Sequence, residues 1–213
     1  MEIDKKRKLL IMTASPVLAI VMIAFGCVSP AQQYIDKGNE YFNQGNYDEA
    51  IAEFSEAIKL EPANADFYYY RGNVYLKKGQ LQTAVTDYDK AITLNSKLTM
   101  AYNNRGLAYA GQRQYDRAIA DFSEAIRLDP KLAVAYDNRG LVYRDKADYE
   151  TAISDFTRAI ALDPSLAKAY FNRAYTYNKI GDLEAAKADA DKCIEISTDP
   201  ALTQAAKDLR ERL

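Results

Sequence analysis

The 213-residue chain contains no histidine and no tryptophan, and only two cysteines, Cys27 and Cys193. Without histidine, neither a Ser-His-Asp triad nor a Cys-His pair can be assembled. The nine glycines form neither a phosphate-binding loop nor a dinucleotide-binding run. Two cysteines without histidine also give no structural zinc site. We therefore expect no enzyme activity, no catalytic residue, no cofactor and no bound metal.

Strand signals are missing as well, because polar and apolar residues do not alternate at every second position. Within residues 101–130, apolar and small residues instead recur at steps of three and four. Tyr102 and Tyr109 share one helical face, and Phe122 belongs to a second face after a break. Pro130 ends the second helix, because proline donates no backbone hydrogen bond. This segment therefore predicts a pair of helices.

The same helix pair recurs 34 residues later and ends at Pro164. A fixed period of this length indicates a repeat protein. One pair cannot cover its own apolar face, so stacked pairs must build a continuous core. Residues 201–213 continue with helical spacing and a polar remainder, which predicts a capping helix. The five predicted copies are residues 31–64, 65–98, 99–132, 133–166 and 167–200.

The pattern resembles the tetratricopeptide repeat family, which has a 34-residue period and aromatic, glycine, alanine and proline positions. Counted within each copy, position 4 is tyrosine where the family has tryptophan, and position 8 is glycine in four copies and Ala174 in the fifth. The resemblance implies an all-α fold, a right-handed solenoid of five helix pairs. The residues outside the pairs add the C-terminal capping helix and an N-terminal apolar signal or anchor helix. The resemblance also implies a concave groove, lined by the first helices, that binds a peptide.

Three asparagines at position 6 mark one level of that groove. An asparagine amide both donates and accepts, so it can pair with a peptide backbone whatever the side chain. Similar rows in the family hold extended peptides; the alternative is that these residues bond only within the scaffold. The family's carboxylate clamp is not expected, because Ile35 and Tyr70 replace its lysine and second asparagine. The predicted groove residues are Asn39, Tyr69, Tyr70, Asn73, Asn104, Asn138, Phe171, Asn172 and Tyr175.

A basic residue at position 7 and an acidic residue at position 23 recur in every copy, from Lys37 and Glu53 to Arg173 and Asp189. We interpret them as a ladder of ion pairs within or between copies; the alternative is an anion-binding arginine row. Exposed pairs of this kind contribute only about 0–1 kcal/mol each. Residues 31–213 carry 24 basic and 28 acidic side chains. This mild acidity argues against nucleic acid as a partner.

The first 30 residues stand apart from the repeats. Basic residues 5–8 precede residues 9–28, which carry no charge. This is the form of an export signal, and the run is also long enough to span a bilayer. Cys27 follows the small Gly26 and resembles the lipidated cysteine of bacterial lipoproteins, which makes residues 1–26 the signal peptide and 27–30 a short tether. The alternative is an uncleaved membrane anchor; either form puts the repeats on the extracytoplasmic side.

The sequence therefore predicts a membrane-tethered adaptor of the bacterial cell envelope that binds a protein or peptide partner in its groove. We expect a monomer. A second hypothesis is a glycan- or small-molecule-binding module that uses Tyr69, Tyr70, Phe171 and Tyr175. Cys193 lies at a small core position and is expected to be a buried thiol without a disulfide partner.

Overall fold

The structure, a computed structural model, describes residues 29–213. The predicted signal or anchor, with Cys27, lies outside these residues. Every regular element in the described part is an α-helix, which confirms the all-α expectation. The eleven helices are α1 (Pro30–Asn43), α2 (Tyr47–Leu60), α3 (Ala65–Lys77), α4 (Leu81–Leu94), α5 (Thr99–Gly111), α6 (Tyr115–Leu128), α7 (Ala133–Asp145), α8 (Tyr149–Leu162), α9 (Ala167–Ile180), α10 (Leu183–Ile196) and α11 (Pro200–Glu211).

The chain divides after Pro62 into two compact units. In the first unit, α1 packs against α2. In the second unit, each helix from α3 to α11 packs against the next one in sequence. The first helices of neighbouring pairs, α3, α5, α7 and α9, also contact one another in turn, and α11 packs on α10 and α9. The helix pairs of the second unit therefore stack in the manner of a solenoid. None of the described helices is both long and apolar enough to cross a bilayer.

A glycine on the first helix and an aromatic ring on the second make a close contact within a pair. A Cβ atom added to Gly106 would lie only 2.8 Å from Cε1 of Phe122. In the fifth copy the glycine is Ala174 and the ring is replaced by Ala190, and both alanines are fully buried. Leu209 of α11 packs into the same cluster. The glycine-ring contact recurs at Gly38–Phe54, Gly72–Tyr88 and Gly140–Phe156.

The turn inside each helix pair contains one residue with a left-handed backbone. Three copies place glycine there, where added side chains would meet no atom within 4 Å. The third and fourth copies place Arg113 and Ala147 there instead. The left-handed conformation costs about 1–2 kcal/mol for a residue with a Cβ atom. The φ angles are 79° at Gly45, 73° at Gly79, 59° at Arg113, 62° at Ala147 and 84° at Gly181.

Several helices begin at a side chain that accepts a backbone hydrogen bond. Asp148, Asp182 and Asp199 cap α8, α10 and α11 in this way. Asn46 occupies the N-cap position of α2 but makes no side-chain capping bond. Its Nδ2 instead donates to Gln44 Oε1 at 3.1 Å.

Candidate functional site

The arginine and aspartate rows of the second unit form ion pairs within each helix pair. In the pair α7–α8, Arg139 Nε donates to Asp155 Oδ2 and Nη2 donates to Oδ1, both at 2.8 Å. Its third nitrogen, Nη1, donates to Ser123 Oγ of the preceding pair at 2.9 Å. The same two-bond geometry joins Arg71 to Asp87, Arg105 to Asp121 and Arg173 to Asp189. These contacts confirm the ladder, rather than an anion site, in the four copies of the second unit. Among the described residues of the first unit, the predicted pair of Lys37 and Glu53 does not form, and Oε2 of Glu53 is buried without a hydrogen-bond partner.

The ladder is more buried than the sequence alone indicated. The Asp155 side chain is 7 % exposed, and the Arg139 side chain is 20 % exposed. The Tyr136 ring lies beneath the guanidinium, with its centroid 5.7 Å from Cζ. The hydrogen bond from Arg139 to Asp155 raises the pKa of the arginine. These pairs therefore belong to the packed interior, and the estimate for exposed pairs does not apply to them.

A continuous chain of polar side chains links α3, α5 and α7. Tyr88 Oη and Asn104 Nδ2 both donate to Asn73 Oδ1, each at 2.8 Å. Asn103 Nδ2 donates to Asn104 Oδ1 at 2.9 Å, and Asn138 Nδ2 donates to Asn103 Oδ1 at 3.0 Å. The structure thus brings together three predicted groove residues, and each of them also makes a bond within the scaffold.

Another predicted asparagine, Asn172, binds a carboxylate. Its Nδ2 donates to Asp137 Oδ1 at 2.9 Å, and both residues are buried. Burial raises the pKa of Asp137, while the bond from Asn172 and the charges of Lys168 and Arg144 oppose that rise. A buried carboxylate whose pKa is raised is a common feature of functional sites.

A groove of about 510 Å³ opens next to these amides. It is lined by residues of α5, α7 and α9 and by the turn before α11. Val134, on α7, is 38 % exposed there and gives the groove an apolar side. The groove therefore offers amides, a carboxylate and apolar surface together. Its main lining side chains are Asn103, Leu107, Val134, Asp137, Asn138 and Lys168.

A second pocket, of about 420 Å³, surrounds Tyr175 on α9. Tyr175 is 36 % exposed, with Arg144 Cζ 5.4 Å and Lys179 Nζ 5.2 Å from its ring centroid. Phe171 also lines this pocket but packs against the buried cluster that includes Leu209 of α11. Only one of the two predicted α9 aromatics is therefore well exposed.

The other predicted residues lie elsewhere. Tyr69 and Tyr70 lie on α3 and pack on each other, with ring centroids 5.7 Å apart. Asn39 is half-buried on α1, in the first unit. Cys193 is free and fully buried, which confirms the expected buried thiol, and burial raises its pKa.

Sequence reasoning missed Asn103 and Asp137. Both lie at position 5, one residue before the asparagine row, where the other copies of the second unit have Tyr69 and Phe171. The signal was available in the 34-residue spacing, since a carboxylate stands where the neighbours carry aromatic or amide side chains. The burial of Asp137 and its hydrogen bond with Asn172 depend on the packing of α7 against α9.

Models of known families match most of the repeat region. A model described as TPR repeat matches residues 38–79, 72–113 and 140–181. Two models described as tetratricopeptide repeat match residues 100–132 and 167–200. Among curated proteins, stress-induced-phosphoprotein 1 of Caenorhabditis elegans is 47 % identical over 38 residues. That match covers 18 % of this chain and only 12 % of the relative.

Solved structures share the fold. TTC0263, a thermophilic TPR protein of Thermus thermophilus, is 23 % identical with a TM-score of 0.72, covering 84 % of this chain and 98 % of its own. YrrB, a TPR protein with an unusual peptide-binding site, is 26 % identical with a TM-score of 0.63, covering 82 % and 90 %. The first TPR of Spaghetti (RPAP3), bound to the HSP90 peptide SRMEEVD, is 29 % identical with a TM-score of 0.54, covering 55 % and 93 %. With its 34-residue helix pairs and these matches, the chain belongs to the tetratricopeptide repeat family.

Proposed function

We propose that this protein is a membrane-tethered adaptor of the bacterial cell envelope that binds an extended peptide of a partner protein. The peptide lies in the groove along α5, α7 and α9. The family supports a role as a protein-protein interaction scaffold, and two of the similar structures are of proteins with a peptide-binding site or a bound peptide. The protein organises its partner and catalyses no reaction.

The groove of about 510 Å³ carries this proposal. It combines the half-exposed amide of Asn138 with the exposed apolar surface of Val134. A peptide backbone needs both donors and acceptors, which amides supply, and apolar surface gives its side chains a place to be buried. The lysine and second asparagine of the family's carboxylate clamp are absent at Ile35 and Tyr70. We therefore do not expect this protein to bind an acidic C-terminal tail of its partner.

Site-specific photo-crosslinking in cells tests the groove. A photoreactive phenylalanine analogue replaces Val134, which lines the groove, or Arg158, which is exposed on α8 and does not line it. We expect a discrete protein adduct at Val134 and none at Arg158. Adducts of equal yield at both positions, or none at either, would refute binding in this groove.

The tether is proposed from residues 1–28. Their basic start and uncharged run suit an export signal, and Cys27 suits lipidation after cleavage. Mass spectrometry of the mature N-terminus tests this directly. An acylated Cys27 supports the lipoprotein, an intact Met1 supports a retained anchor, and a cleaved N-terminus without a lipid contradicts the tether.

A glycan- or small-molecule-binding module is the second candidate function. It would need aromatic rings that converge on one ligand. Tyr69 and Tyr70 lie on α3, whereas Tyr175 lies on α9 between Arg144 and Lys179. This dispersion favours the peptide.

A further inference from the structure

The second unit contains five buried aspartates, and one of them differs from the rest. Four belong to the ladder, and each accepts two hydrogen bonds from an arginine. The fifth, Asp137, is equally buried at 6 % exposure, yet its side-chain bond comes from the neutral amide of Asn172. Within residues 29–213, no lysine or arginine forms an ion pair with Asp137. A buried charge without a counter-charge costs folding free energy.

The scaffold does not need this charge. One copy earlier, Asn103 occupies the same position and accepts the same bond, from Asn138 Nδ2 at 3.0 Å. Asn172 donates to Asp137 at 2.9 Å in the matching geometry. An asparagine at position 137 would keep that bond, because its Oδ1 is also an acceptor. A buried, unpaired charge that does not stabilise the scaffold indicates a functional site.

Asp137 lines the groove in which we place the partner. Asp163 and Asp199 line the same groove, and Lys168 is the one cation among its described lining residues. Asp163 is held by Ser165, whose backbone N–H and hydroxyl both donate to it, and Asp199 caps α11. The free groove therefore has an excess of negative charge. Its most buried carboxylate, Asp137, feels the charges of Lys168 and Arg144 but forms no ion pair with either of them.

We propose that Asp137 recognises a cationic side chain, lysine or arginine, of the bound peptide. The inference rests on the function proposed above and names the chemistry of its partner. A lysine or arginine donates charge-assisted hydrogen bonds to a carboxylate, and such bonds are stronger in a desolvated setting. Because the folded protein already bears the cost of desolvating Asp137, binding regains part of that cost. A metal ion is a poorer occupant, since hard cations need several oxygen ligands and Asp137 offers one carboxylate already engaged by Asn172.

Peptide selection with the full-length chain tests this proposal. The immobilised protein selects from a display library of random peptides, and the selected sequences are synthesised for affinity measurements. We expect a lysine or arginine at one fixed position of the selected peptides. Asp137→Asn should weaken their binding by about tenfold or more, because it removes one partner of a buried charge pair. Asp163→Asn removes the same charge from the same groove and should change binding by less than about threefold.

A double-mutant cycle separates a direct contact from a general loss of charge. Norleucine replaces the fixed base of the peptide, which keeps most of the apolar chain. Wild-type protein should bind this peptide about tenfold or more weakly, and Asp137→Asn should then cause little further loss. Asp137→Asn should also remain folded, because it keeps the bond from Asn172.

If peptides are selected, any of four results would overturn the inference. These are selected peptides without a fixed base, selection of acidic peptides, equal effects of Asp137→Asn and Asp163→Asn, and additive effects in the cycle. Acidic peptides would direct attention to Arg144 and Lys179 around Tyr175 instead. Failure to select any peptide, with a specific adduct at Val134, overturns this inference alone. Failure of both experiments overturns the proposed function as well.

Discussion

Replacing Arg139 by alanine should destabilise the fold far more than a surface substitution. The guanidinium gives two parallel hydrogen bonds to Asp155, one to Ser123, and a stacking contact with Tyr136. Its loss leaves the Asp155 carboxylate buried without a counter-charge, since that side chain is only 7 % exposed. The ladder thus makes each arginine a structural residue.

The magnitude follows from the burial. Breaking a buried ion pair by removing one partner costs about 3–5 kcal/mol, whereas an exposed pair is worth about 0–1 kcal/mol. Domains have a total stability of about 5–15 kcal/mol, so Arg139→Ala should remove a large share of it. The apolar double variant Arg139→Met with Asp155→Leu should recover most of the loss, because neither charge then remains buried.

Urea unfolding, monitored by far-UV circular dichroism, gives the free energy of unfolding of each variant from the midpoint and from the slope of its dependence on urea concentration. Arg158→Ala is the matched control, since Arg158 is exposed on the neighbouring α8 and should stay within about 0.5 kcal/mol of wild type. An Arg139→Ala variant within about 1 kcal/mol of wild type would refute the reasoning. So would an apolar double variant less stable than the single one.

Three further predictions concern stability. Gly106→Ala should cost about 1–3 kcal/mol through contact with the Phe122 ring, and combining it with Phe122→Ala should lose less than the sum of the two single changes; additive losses in the same urea assay would contradict the contact. Ala147→Gly should gain about 0.5–1 kcal/mol, because relief of about 1–2 kcal/mol of backbone strain exceeds about 0.4–1 kcal/mol of added unfolded-state entropy. The reverse change Gly79→Ala should lose about as much, and no difference in thermal midpoint would contradict both. Burial raises the pKa of Asp137 in the folded state above its unfolded value, so the folded protein holds this proton more tightly. The free energy of unfolding of the wild-type protein therefore falls as the pH rises from the unfolded-state pKa to the folded-state pKa of Asp137. The stability of Asp137→Asn relative to wild type should increase over the same pH range, and a pH-independent difference between their urea midpoints would contradict this.

The helix pairs could be predicted from the sequence because their determinants are local. Spacing within residues 101–130 predicted two helices that end before Pro130, and α6 ends at Leu128. The recurrence of a basic and an acidic residue in every copy also predicted ion pairs, but the structure was needed to show that Arg139 pairs with Asp155 of its own copy. Their burial was not predictable, since it depends on the neighbouring helix pairs that cover them.

The candidate site was only partly predictable for the same reason. Spacing placed Asn104 and Asn138 at one level of the groove, but it could not show that Asn103 joins their amides. Phe171 was predicted to line the groove, yet it packs against the buried cluster of Ala174, Ala190 and Leu209. Asp137 was overlooked because it differs from the other buried aspartates in having no arginine as an ion-pair partner within the described part of the chain, and only the three-dimensional structure shows this.

The exchange of glycine and ring for Ala174 and Ala190 bears on how such arrays can evolve. A crossover inside a helix pair could join the first helix of the fifth copy to the second helix of the fourth. Ala174 would then face Phe156, where an added Cβ atom has only 2.7 Å of space. Crossovers in the turns between pairs keep each matched couple together. Gain or loss of copies is therefore expected to proceed in whole pairs, with the two helices inherited as one unit.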